Sequence, residues 1–280
     1  MSAFHTLIQA RELQPLLMDG GVIVVDCRFD LADPDAGRRA YLQAHIRGAV
    51  YAHLDSDLSG TRRPGSGRHP LPSPGQLERV FGRLGIAAGR QVAAYDAGGG
   101  LFAARLWWLL RYMGHDAVAV LDGGWPAWMA CGGATAGGEE HNPPARFKGR
   151  PRPDRVVHAG EVLMQRRLVD SRDPARYRGE VEPIDPVAGH IPGAVNYFCK
   201  RNLGEDGRFL APASLRSALS VVFGAVPASE VTFYCGSGVT ACHNILAAVH
   251  AGFPEPRLYA GSWSEWCADP ARPVARGDAP

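Results

Sequence analysis

Val231-Thr232-Phe233-Tyr234-Cys235-Gly236-Ser237-Gly238-Val239-Thr240-Ala241 joins two patterns at one thiol. Val231 to Tyr234 reads as a short buried strand, and Val239 to Ala251 carries apolar residues at helical spacing. A group between a strand end and a helix start meets converging backbone N–H groups and the positive end of the helix dipole. Those groups stabilise a thiolate. A free cysteine with a pKa near 8.5 is only about 3% ionised at pH 7. Lowering that value by about two units takes roughly 2.7 kcal/mol and ionises most of the thiol. Gly236 and Gly238 open backbone angles closed to other residues, so the run can curve around an anion. The backbone N–H groups of Gly236, Gly238, Val239 and Thr240 then form a nest, and the Ser237 and Thr240 hydroxyls add donors. Such a glycine-flanked thiol is expected to be accessible, unlike an inert core cysteine.

Working outward, the chain repeats itself. Val24-Val25-Asp26-Cys27-Arg28 matches Leu168-Val169-Asp170-Ser171-Arg172, and Ala44-His45-Ile46-Arg47-Gly48-Ala49-Val50 matches Gly189-His190-Ile191-Pro192-Gly193-Ala194-Val195. Ala94-Tyr95-Asp96 matches Phe233-Tyr234-Cys235, and Leu121-Asp122-Gly123-Gly124-Trp125 matches Leu258-Tyr259-Ala260-Gly261-Ser262-Trp263. The offsets run from about 137 to 145 residues, in one order, which marks two copies of one domain. The copies are expected over residues 1–135 and 156–280, joined by a linker over 136–155 that is stiffened by proline. In each, near-continuous apolar strands alternate with helical patterns: Val22 to Asp26, Val92 to Tyr95 and Val118 to Leu121, then Leu168 to Asp170, Val231 to Tyr234 and Arg257 to Tyr259. That pattern predicts an α/β fold, a small parallel sheet flanked by helices in each copy, with sites at the carboxyl ends of strands. Cys235 stands at such an end. So does Asp96, which is read as a helix-capping residue.

The bulk numbers narrow the rest. With 280 residues, 46% hydrophobic and 21% charged, the chain has apolar side chains for two cores. A net charge of +2 gives no reason to expect nucleic acid or a membrane surface as a partner. No stretch predicts a transmembrane helix or a signal peptide. Six scattered cysteines without a Cys-x-x-Cys fit free thiols in a reducing cytoplasm. Cys242-His243 lacks a second ligand pair, so no metal site is expected, and no cofactor.

The doubled domain, the Cys235 loop, Gly189-His190-Ile191-Pro192-Gly193-Ala194 and Leu121-Asp122-Gly123-Gly124-Trp125 together resemble the tandem-domain rhodanese-like sulfurtransferases. The uncharged loop is most similar to that of the 3-mercaptopyruvate-specific members; thiosulfate-specialised ones carry Arg and Lys there. The resemblance implies an active site between the halves, a reactive cysteine in the second half and a silent first half, where Asp96 replaces the thiol. It implies that Cys235 takes a sulfane sulfur from 3-mercaptopyruvate and hands it to cyanide or a thiol, with a thioredoxin-like protein among the candidate acceptors. By the same resemblance Arg176 binds the substrate carboxylate, and Ser237, His69 and Asp55 form a proton relay, with Asp57 an alternative to Asp55. The family's second arginine is missing: Ile184 stands near its place, which leaves Arg178 or an arginine of the first half to substitute. His45 and His190, Asp26 and Asp170, and Trp125, Trp128, Trp263 and Trp266 recur in both halves and so read as structural, the acids pairing with Arg28 and Arg172.

Three rivals remain. Thiosulfate as donor keeps the same persulfide chemistry. A catalytically idle doubled domain would serve as a binding module, against which the intact Cys235, Ser237 and Thr240 speak. A Cys-x5-Arg phosphatase needs arginine where Ala241 stands.

Overall fold

A buried aspartate two residues before a buried arginine closes the first repeated strand in each copy, and the sheets are built around it. The computed structural model describes residues 3–280. They form two units. The first comprises residues 3–60, Pro72–Arg152 and Glu205–Phe209; the second comprises Thr61–Leu71, Pro153–Gly204 and Leu210–Pro280. The units are therefore not plain halves, because each takes in a short irregular segment from the other copy's stretch of sequence.

In the first unit the elements are β1 (Leu7–Ile8), α1 (Ala10–Met18), β2 (Val22–Asp26), α2 (Ala36–Gln43), β3 (His45–Ile46), β4 (Val50–Tyr51), α3 (Pro74–Arg83), β5 (Gln91–Tyr95), α4 (Ala103–Tyr112), β6 (Val118–Leu121), α5 (Gly124–Ala130) and β7 (Thr135–Ala136). Among the described residues the main sheet has the order β1-β6-β5-β2-β4, and every pairing in it is parallel. The second unit contains β8 (Arg167–Asp170), α6 (Pro174–Arg178), β9 (Ala194–Asn196), α7 (Pro212–Phe223), β10 (Val231–Tyr234), α8 (Thr240–His250), β11 (Arg257–Leu258) and α9 (Ser262–Trp266), with the parallel order β11-β10-β8-β9. Near-continuous apolar strands need cover on both faces, and the helices supply it. This is the α/β architecture that the alternating pattern predicts. The strands missing from the sequence reading, β4 and β9 among them, are only two or three residues long, too short to show a period. No helix among the described residues is long and apolar enough to cross a membrane.

The internal repeat is carried in side-chain detail. Arg28 donates to both oxygens of Asp26 (2.6–3.1 Å) and to the Ala44 carbonyl (2.7 Å); Arg172 does the same to Asp170 (2.7–3.1 Å) and to the Gly189 carbonyl (2.6 Å). Each guanidinium lies over an indole, Arg28 4.8 Å from the Trp125 ring and Arg172 4.7 Å from the Trp263 ring. The tyrosines ending the central strands, Tyr95 and Tyr234, accept the N–H of Ile46 and Ile191 (3.2 Å each). His45 donates through Nδ1 to the Tyr41 carbonyl and stacks on that ring at 4.2 Å; His190 does so with Tyr177 at 3.8 Å. Both imidazoles are thus held inside the fold through Nδ1, as their recurrence suggests. Although burial works against its charge, Asp170 holds the Arg172 guanidinium above its ordinary range.

Breaking one member of such a pair strands the other in the interior. Asp170→Ala is expected to cost about 3–5 kcal/mol in urea unfolding, because Arg172 loses a bidentate partner with no water to replace it. An unchanged midpoint would mean that the pair contributes nothing.

Candidate active site

Strand β10 ends at Tyr234 and helix α8 begins at Thr240, so Cys235 to Val239 form the turn between them. The turn folds back on the start of α9. The Cys235 N–H donates to Ser262 Oγ (3.1 Å), the Cys235 carbonyl accepts the Trp263 N–H (3.0 Å), and the Gly236 carbonyl accepts the Ser264 N–H (2.9 Å). Among the described residues Ser262 is the one non-glycine residue with a left-handed backbone (φ 56°). That strained conformation is held where its hydroxyl fixes the first amide of the loop. Gly238 has φ +76°, and a Cβ there would stand 2.3 Å from the Ala260 carbonyl oxygen. Glycine is required by both the angle and the space.

Cys235 is 2% exposed, more enclosed than the glycines suggest. The reason is the fold-back just described: the loop lies under residues 259–264 instead of projecting from the strand end. Other thiols here are ordinary buried ones. Burial pushes Cys199 up to about 12 and Cys267 up to about 11, and Cys242, also buried, donates to the Gly238 carbonyl (3.3 Å). His243 is fully buried.

The loop of the first unit shows what this geometry attracts. Asp96 follows β5, and its two carboxylate oxygens accept four backbone N–H groups, from Gly98 (2.8 Å), Gly100 (2.9 Å), Phe102 (2.7 Å) and Ala103 (2.9 Å). Its carbonyl accepts the Trp125 N–H (2.8 Å), as that of Cys235 accepts Trp263. Asp96 therefore caps α4, as read from the sequence, and fills an anion nest in doing so.

Of the sequence-predicted residues, His69 and Ser237 are brought together: His69 Nδ1 lies 2.7 Å from Ser237 Oγ, although 168 residues separate them. Both are buried. His69 belongs to the segment Thr61–Leu71 of the second unit. That proline- and glycine-rich run forms no helix or strand of its own and is anchored by contacts: the Arg68 N–H donates to Ser264 Oγ (3.0 Å), and Gly67 packs so closely on Gly261 that a Cβ would stand 2.5 Å from its carbonyl oxygen. Asp55 lies in the first unit, where its N–H donates to His53 Nδ1 (3.1 Å); Asp57 pairs with Arg83 there and accepts the His53 N–H.

Arg176 is positioned by a helix that writes its own ends. Asp173 caps α6 through the Ala175 N–H (2.9 Å), Pro174 takes its first position, and Gly179 ends it left-handed at φ 75°. Glu182 then grips Arg176 at Nε (3.1 Å) and Nη2 (2.7 Å). The guanidinium stands beside the loop, 3.6 Å from where a Gly236 Cβ would be. Ile184 is 45% exposed and engages Glu182 through its N–H only (3.1 Å), while Arg178 turns to Glu180. The arginine that joins Arg176 at the loop is Arg68, its Nη2 2.8 Å from the same Cβ position. Arg68 is an arginine of the first copy, an alternative that the sequence left open without naming the residue; Asp185, the acid that bridges it to Arg176, was missed. The available signal was the adjacency of Arg68 to His69.

The model of the rhodanese-like domain matches residues 9–131 and again 156–269. The chain belongs to the rhodanese-like family. Within it, the chain is 50% identical over 279 residues to a probable 3-mercaptopyruvate sulfurtransferase of Pseudomonas aeruginosa, covering 97% of this chain and 98% of that protein. It is 40% identical over 286 residues to a putative thiosulfate sulfurtransferase of Mycobacterium tuberculosis, covering 98% of each. A solved 3-mercaptopyruvate sulfurtransferase from Leishmania major superposes with a TM-score of 0.84 at 32% identity, over 93% of this chain and 74% of that one. The two rhodanese-like matches fall on the two repeated segments.

Gly238→Ala is expected to destabilise this member by about 2 kcal/mol or more, since the new methyl meets a backbone oxygen and the left-handed angle disfavours any side chain. Thermal unfolding measures it; an unshifted midpoint would mean that the loop can relax freely.

Proposed function

We propose that the protein is a sulfurtransferase that moves the sulfur of 3-mercaptopyruvate to a thiol or to cyanide through a persulfide on Cys235. The observation that carries this reading is the convergence on one loop of Cys235, the Ser237–His69 hydrogen bond and two guanidiniums. The Cys235 thiolate attacks the donor sulfur, the C–S bond breaks, and the electron pair leaves on the pyruvate enolate. The enolate carbon takes up the proton that the donor thiol gives up. Ser237 Oγ and His69 relay that proton, and histidine has the intrinsic pKa for it. Asp55 orients His69 in this reading. The acceptor then attacks the outer sulfur and regenerates the thiolate, so one difficult transfer becomes two easier ones.

Gly236, Gly238, Val239 and Thr240 supply the nest for the charged sulfur; the carboxylate that fills the corresponding place in the first unit supports this assignment. Arg176 takes the donor carboxylate, since a guanidinium gives a carboxylate charge-assisted hydrogen bonds. The first copy, residues 1–135, is silent because Asp96 has no sulfur to lend; residues 156–280 carry the chemistry, and residues 136–155 join them. The acceptor is a small or protein thiol, a thioredoxin-like protein included, or cyanide. Six free cysteines support a reducing cytoplasm as the setting.

Thiosulfate is the second reading, favoured by the non-arginine Ile184 and by the mycobacterial relative. The comparison of kcat/KM for both donors on one preparation decides. Preference for 3-mercaptopyruvate by at least about tenfold, roughly 1.4 kcal/mol in barrier, is expected; thiosulfate winning would reverse the choice of donor. Cys235→Ser is expected to leave no cyanide-releasable sulfur after incubation with either donor, and retention of transfer would remove the persulfide. His69→Ala is expected to lower kcat for 3-mercaptopyruvate by about 100-fold. Intact turnover in that variant would end the relay.

A further inference from the structure

Two guanidiniums flank the Cys235 loop, and one carboxylate spans them. Asp185 Oδ1 pairs with Arg68 Nη1, and its Oδ2 lies 3.2 Å from Arg176 Nη2. One oxygen to each guanidinium is the arrangement that a bound carboxylate donor would adopt. The cluster's other acid behaves differently. Glu182 holds Arg176 at two nitrogens, reaches Arg172 Nη1 (3.3 Å), and accepts the N–H groups of Ile184 and Asp185 (3.1 Å each). Although burial pushes it up, those bonds keep the Glu182 carboxyl below its ordinary range. It is a fixed counter-ion. Asp185 sits in the irregular segment between α6 and β9 and touches only the outer nitrogens of its partners. Burial pushes its carboxyl up, Arg68 and Arg176 notwithstanding, so its charge is the more easily given up.

Charge and unused donors agree. Arg68, Arg172 and Arg176 face Asp170, Glu182 and Asp185, an even balance with no surplus positive charge for an arriving anion. Yet Arg68 Nε is buried and has no hydrogen-bond partner among the described residues. A buried donor left idle beside the loop is costly unless something else is meant to accept from it.

We infer that Asp185 is an internal stand-in for the donor's carboxylate, bridging Arg68 and Arg176 in the unliganded protein and displaced from at least one of them when a carboxylate-bearing donor binds. This rests on the sulfurtransferase reading and adds its specificity device. Asp185 sets how strongly an arriving anion must compete for the two guanidiniums. Donors with a small carboxylate that takes both guanidiniums recover what they displace; donors that reach only one do not.

Calorimetric titration of the full-length protein with pyruvate tests this without any turnover. A failure of displacement is thereby separate from a failure of sulfur transfer, which the cyanide assay reads. Asp185→Asn is expected to bind pyruvate at least about fivefold more tightly than the unaltered protein, with a parallel fall in the KM for 3-mercaptopyruvate. Arg68→Gln is expected to bind it at least about fivefold more weakly. The sign is decisive, because an aspartate that merely held the arginines in place would weaken binding when removed. Asp185→Ser serves as a second variant should the amide fail to fold, with circular dichroism as the check. Unchanged or weaker pyruvate binding in a folded Asp185 variant overturns the inference, and so does the absence of binding heat in all of the proteins.

Discussion

Everything distinctive about this protein depends on the backbone amides that converge at the carboxyl end of a central strand. A parallel strand that runs into a helix brings several N–H groups to one point, and nothing in the strand or the helix satisfies them. In the first unit a carboxylate does so outright: Asp96 collects four of them. In the second unit Cys235 stands at the equivalent strand end, and the same backbone carbonyl is held by the N–H of the equivalent tryptophan. A permanent anion and a sulfur nucleophile are alternative answers to one electrostatic demand. Only the second can be loaded and unloaded.

The scaffold behind that point is copied almost atom for atom, and it contains charge as well as hydrocarbon. Each unit buries an aspartate–arginine pair, lays the guanidinium on an indole, and ties the neighbouring tyrosine to a distant amide. Such networks are expensive to disturb piecemeal, because a half-satisfied one is worse than none. That explains how the copies could diverge freely in the loop after the strand while retaining the residues beneath it. In the second unit the network continues outward, from Asp170 through Arg172 to Glu182 and Arg176, so the buried scaffold reaches the guanidinium beside the Cys235 loop without a break.

How much of this was readable follows the range of the interactions. The repeat, the long strands and the Asp-x-Arg pairs are local patterns and were legible as such. So was the glycine-bounded turn after Tyr234, although its degree of burial was not: that depends on residues 259–264 folding over it. The meeting of His69 with Ser237 was suggested by family resemblance alone, since no spacing rule connects positions 168 residues apart. Which first-half arginine would stand in, Arg68, and its bridge to Asp185 were invisible for the same reason. Their partnership exists because a segment with no regular structure is anchored on the start of α9, and a sequence window sees only proline, glycine and scattered charge.

That anchoring has an evolutionary corollary. A gene duplication ordinarily leaves two separable modules, either of which can be lost or recombined. Here residues 61–71 are built into the second unit and residues 205–209 into the first, so each module is completed by a strip encoded in its twin. The first copy's stretch of sequence cannot simply be discarded, because it supplies the imidazole that meets Ser237 and a guanidinium beside the Cys235 loop. With each strip built into the other unit, neither stretch of sequence carries a whole unit by itself.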